Sequence, residues 1–114
     1  MATKFRRITL LLMASLPAFA QGTITRTAAT VTATSGPLVC KFTHPKNLHV
    51  LVSCAVAGTV RRKDDLTPSP ASLTGAVGSV GEGNLYVSWI VRQSAPKVFT
   101  FEITTNGANS SGTF

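Results

Sequence analysis

Acidic side chains, histidine and helical periodicity are all scarce in this chain, and each scarcity removes a class of explanation. Four Asp and Glu residues and two His among 114 residues leave little material for acid–base catalysis, which needs titratable groups gathered in a cleft. Asp64 and Asp65 are adjacent, so along an extended chain they point to opposite faces. No serine carries the surroundings of a hydrolase nucleophile. The glycines between Gly75 and Gly83 lack the spacing of a nucleotide loop, and no helical pattern follows them. His44 and His49 flank a turn, the weak candidates for a metal pair, but no third ligand lies near them in sequence. The expectation is a protein that is not an enzyme and holds no cofactor or metal.

What is present begins with a leader. Lys4, Arg6 and Arg7 precede a short apolar run from Ile8 to Leu16, and Ala18-Phe19-Ala20 supplies a small-x-small cleavage site. The run is too short for a permanent membrane helix. Residues 1–20 therefore read as a signal peptide for general-pathway export to a secreted or periplasmic location. No stable membrane insertion is expected after cleavage. The leader takes three basic residues with it. Eight Lys and Arg then oppose four acidic residues, a balance of +4 rather than the +7 of the whole chain. That is too mild to suggest nucleic acid.

In an oxidising compartment the two cysteines are expected to pair. Along Leu38–Thr43, parity puts Leu38, Cys40 and Phe42 on one face; along Val50–Val56 it puts Val50, Val52, Cys54 and Val56 on one face. Setting Cys40 opposite Cys54 also sets Phe42 opposite Val52 and Leu38 opposite Val56, and a slip of one residue would mix apolar with polar. Pro45 fits at the strand end, with Lys46, Asn47 and Leu48 as the turn.

A second alternating pair comes later in the chain. Leu85, Val87, Trp89 and Val91 share a face, and Phe99, Phe101 and Ile103 answer them. The expected register sets Trp89 opposite Phe101, with Ser94-Ala95-Pro96 as the turn. Two apolar-faced hairpins need each other, so the expected fold is all-β: a small antiparallel β-sandwich of about six or seven short strands with one disulfide, Cys40–Cys54. Residues 21–36, rich in threonine, read as a lead-in or edge strand. The sandwich domain covers 37–105, and 106–114 reads as a loose polar tail. Leu66 to Asn84, with two prolines and several glycines, reads as the least regular part. Asn109-Ser110-Ser111 matches a glycosylation acceptor.

The run Val87 to Lys97, V-S-W-I-V-R-Q-S-A-P-K, resembles the strand-C segment of immunoglobulin variable domains, a likeness over about a tenth of the chain that implies an immunoglobulin-like sandwich and nothing about ligand. A second stretch, Ala20 to Thr25, is similar to the mature starts of bacterial fimbrial subunits. That likeness implies a strand around Ile24 donated to another subunit's sheet edge.

The expected role is a binding or cell-surface interaction module for an unknown protein or glycan, acting as a monomer. A structural subunit assembling by strand exchange, or a small secreted enzyme or inhibitor, are the alternatives. The candidate binding surface is Tyr86, Ile90 and Arg92, opposite the Trp89 face, since tyrosine and arginine are common anchors. Arg61, Arg62 and Lys63, the one basic run, add a contact for phosphate or an anionic glycan and otherwise read as a solvated turn beside Asp64-Asp65.

Overall fold

The computed structural model describes residues 21–44, 49–67 and 76–114. The expected leader and the turn at 45–48 lie outside the described residues. Among the described residues nine strands form in chain order: β1 (Thr23–Thr27), β2 (Thr30–Ser35), β3 (Leu38–Thr43), β4 (Val50–Val56), β5 (Thr59–Leu66), β6 (Ala76–Glu82), β7 (Leu85–Ala95), β8 (Val98–Thr105) and β9 (Ala108–Thr113). Among the described residues there is no helix. Strands β1 to β5 make one antiparallel sheet and β6 to β9 a second, each in sequential order. The connections inside each sheet are hairpins throughout.

The sheets bury one face each. Val31 and Ala33 of β2, Leu38, Cys40 and Phe42 of β3, and Val50, Val52 and Cys54 of β4 meet Val87, Trp89 and Val91 of β7 and Phe99, Phe101 and Ile103 of β8. The Phe42 and Trp89 rings meet edge to face across the layers, 5.2 Å between centroids, a favoured arrangement for aromatic quadrupoles. The Cys40–Cys54 disulfide forms with Cα atoms 4.0 Å apart, and both residues are fully buried. All three pairs expected around it are found: Leu38 with Val56, Cys40 with Cys54 and Phe42 with Val52.

Four expectations need correction. Among the described residues there are nine strands rather than six or seven, because the stretches expected as a lead-in and a tail form strands β1, β2 and β9. The threonine-rich lead-in is a hairpin, β1–β2, and β2 sits inside the sheet between β1 and β3. The polar tail is strand β9 paired with β8, and Phe114 packs 4.9 Å from the Phe101 ring. The second hairpin is shifted by two residues: Trp89 stands opposite Ile103, and Val91 opposite Phe101. Two things combine: the turn sits at Pro96-Lys97, with Ala95 opposite Val98, and a one-residue bulge between Gln93 and Ala95 leaves Ser94 unpaired. The net displacement is two residues, so side-chain parity is kept. Residues 76–82 of the irregular stretch are strand β6.

A second bulge lies on β5, where Arg62 stands opposite Cys54 and Val60 opposite Ala55, so Arg61 is the extra residue. A bulge re-aims side chains. Both arginines accordingly reach the second sheet: Arg61 pairs with Glu82 at 3.0 Å, and Arg62 donates to Ser79 O at 3.3 Å with its guanidinium 5.3 Å above the Trp89 ring. The opposite side is closed in the same manner. Arg26 lies 5.5 Å over the Phe101 ring and donates to Thr113 O at 2.6 Å. An arginine thus covers each lateral mouth of the sandwich, its flat cation on an aromatic face and its donors on an edge carbonyl.

Candidate functional site

The residues expected to form one binding surface fall on different faces. Tyr86, Ile90 and Arg92 lie on the outer face of the four-stranded sheet, as parity requires. Tyr86 is exposed and Ile90 half-buried beside the exposed Val77 of β6. Arg92 is held by Glu102 at 2.5 Å. Arg61 and Arg62 are not a solvated turn: they are strand residues of β5 whose side chains bond to β6 across the layers. Lys63 alone of the basic run points outward from the five-stranded sheet.

The histidines also diverge. His44 Nδ1–H donates to the carbonyl of His49 at 2.8 Å, and its ring packs 5.5 Å from Phe99 and 5.8 Å from Phe114. His49 Nδ1–H donates to Asp65 Oδ1 at 2.7 Å. Among the described residues, no group of three or more His, Cys, Asp or Glu gathers as a metal site would require. Cys40 and Cys54 are committed to their disulfide.

The outer face of the five-stranded sheet holds the most developed surface feature. Register aligns its outward side chains in cross-strand ranks: Thr25, Thr32, Lys41, Ser53 and Lys63 form one, and Thr27, Thr30, Thr43, Leu51 and Asp65 the next. On β4 the outward residues Ser53 and Ala55 are short, while Lys41 on β3 and Lys63 on β5 are long. A groove therefore runs along β4. It consists of two open depressions of about 580 and 260 Å³ that share Lys41 and Ser53. The larger reaches Leu51 and Asp65, and the smaller reaches Val39 and Gly58.

Its chemistry is that of hydroxyls between Lys41 and Lys63, with Asp64 and Asp65 at the rim of the larger depression. Among the described residues no carboxylate pairs with Lys41 or Lys63, since the ion pairs use His49, Arg61, Arg62 and Arg92. Neighbouring strands lie about 4.8 Å apart, which puts Lys41 and Lys63 roughly 10 Å apart at their Cα atoms across Ser53. Sequence reasoning missed Lys41 and Ser53. The available signal was parity: both face away from the cysteine side of their strands. What linked them to Lys63 was the β4–β5 register, and the bulge at Arg61 hid that register.

No family model, no curated protein and no solved structure matches this chain.

Proposed function

We propose that the protein is an exported binding module, secreted or periplasmic, that takes a linear anionic polysaccharide in the groove along β4. Export is supported by the leader pattern of residues 1–20 and by a disulfide that suits an oxidising compartment. The observation that carries the ligand class is the rank Lys41–Ser53–Lys63, two ammonium groups that no carboxylate pairs among the described residues, flanking a hydroxyl on a recessed floor.

Three features favour a charged sugar chain over other ligands. β4 is an interior strand whose main-chain groups are used by β3 and β5, so an extended peptide has no edge to join by strand addition. Among the described residues no aromatic ring lines the groove, so none offers a neutral sugar a stacking platform. Thr43, Ser53 and Thr32 offer hydroxyls around the lysines, suited to a ligand that carries both hydroxyl and carboxylate or sulfate groups.

The test is a titration of the protein with polygalacturonate and dextran sulfate, with neutral dextran as control. The expected result is binding to the anionic chains that weakens as salt rises, and at least a tenfold loss in Lys41→Ala/Lys63→Ala. Lys97→Ala, on the β7–β8 turn, should bind as wild type. Absence of binding to both polyanions, or equal losses in both variants, would reject the reading.

A further inference from the structure

A separate feature lies at the β1 edge. A two-residue turn closes on a hydrogen-bonded pair, and such pairs alternate along an antiparallel ladder. The turn at Ala28-Ala29 therefore makes Thr27–Thr30, Thr25–Thr32 and Thr23–Thr34 the hydrogen-bonded pairs of β1 with β2. Thr23, Thr25 and Thr27 turn their main-chain groups inward to β2. Ile24 and Arg26 turn theirs outward, so four main-chain groups, two N–H and two C=O, line an edge that no other described strand pairs.

Edges of this kind are normally guarded by charge, proline or a bulge. The β5 edge has a bulge and five consecutive charged residues, Arg61 to Asp65. β1 has neither proline nor bulge. Its one charge, Arg26, is turned away over Phe101 and onto Thr113 O. The β9 segment on the same side of the sandwich, A-N-S-S-G-T, carries no charge. This flank is thus close to neutral, while the opposite one is strongly charged.

We propose that β1 pairs with β1 of a second copy of this chain, antiparallel about a two-fold axis through Thr25. In that register Ile24 of each copy stands opposite Arg26 of the other, and all four free main-chain groups are satisfied at once. Thr25 faces its own symmetry mate as a non-hydrogen-bonded pair, where side chains approach closest. No residue then places a charge opposite a like charge. The pairing is isologous and closes at two copies, and it joins two five-stranded sheets into one of ten without using the groove on β4.

The two-fold makes a diagnostic test, because position 25 meets itself. The full chain, carrying its own N-terminal segment so that processing is native, is followed by sedimentation velocity over rising concentration. Wild type should shift from monomer toward dimer. Thr25→Lys and Thr25→Glu, each on an exposed position, should associate at least tenfold more weakly, through like-charge repulsion. An equimolar mixture of the two should recover dimer to the wild-type level or beyond, which also guards against a variant that is merely less stable. A wild type that stays monomeric throughout, growth into open-ended oligomers, or a mixture no better than its components would each overturn the proposal.

Discussion

The Ser35 hydroxyl donates to Asn106 Oδ1 at 2.6 Å, joining β2 of one sheet to the β8–β9 turn of the other. The same amide oxygen accepts from the Tyr86 N–H at 3.0 Å, and Asn106 Nδ2 donates to Asn84 O at 2.9 Å. Gly22 N–H also donates to the Asn106 carbonyl. One asparagine therefore ties together Gly22 just before β1, β2 and two turns of the second sheet at one end of the sandwich.

Asn106→Leu leaves the buried Ser35 hydroxyl without its acceptor. Losing a partner from a buried group costs about 1–3 kcal/mol, so the variant should be less stable by about 2–3 kcal/mol in urea denaturation. Ser35→Ala, which removes the orphaned group itself, should cost about 1 kcal/mol or less. Equal losses in the two variants would contradict the hub role of Asn106.

Reduction of Cys40–Cys54 opens a loop with a sequence separation of 14. The chain-entropy model assigns about 3 kcal/mol to a loop of that length. Urea titrations with and without reductant should differ by about this amount. Pairing of β3 with β4 should survive, because Leu38–Val56 and Phe42–Val52 remain in register.

Gly78 lies on the inner face of β6 directly over the Trp89 indole, and a Cβ there would overlap the ring. Gly78→Ala should cost about 1–3 kcal/mol, the usual range for overpacking. The tryptophan emission should shift as the ring is displaced. Val77→Ala next door removes a side chain that is 73% exposed and should leave both stability and emission unchanged.

The two arginines of the β5 bulge should separate cleanly. Arg62→Ala uncovers one face of Trp89 and removes the contact to Ser79 O, so acrylamide should quench the tryptophan more strongly. The expected stability loss is about 1 kcal/mol, from a stacked cation on a largely buried ring. Arg61→Ala removes only an exposed ion pair with Glu82, which in solvent contributes at most about 1 kcal/mol, and quenching should not change.

Where side chains alternate between clearly apolar and clearly polar, the fold was legible from sequence. The disulfide hairpin is the strongest case, since three pairings had to agree and all are found. Trp89, Val91, Phe99 and Phe101 lie on the faces that parity assigns even though their partners are displaced, because the moved turn and the bulge at Ser94 together displace the register by two residues, one full alternation. The ends were harder. The inward positions of β2 include Ala33 and Ser35, and those of β9 are Ala108, Ser110 and Gly112. Gly112 fits against the Phe101 ring and Ser35 beside Asn106, yet such small residues give no hydrophobic pattern. The candidate groove was illegible for a different reason. It depends on three strands being in register, and neither Lys41 nor Ser53 stands out alone.

Amide shift mapping tests the groove most directly. On adding polygalacturonate to the isotopically labelled protein, perturbations should centre on Lys41, Ser53 and Lys63 and spread to Thr43 and Ala55, while Tyr86, Ile90 and Arg92 stay fixed. Perturbations centred on the Tyr86–Arg92 face, or none at saturating polysaccharide, would contradict the assignment of the site.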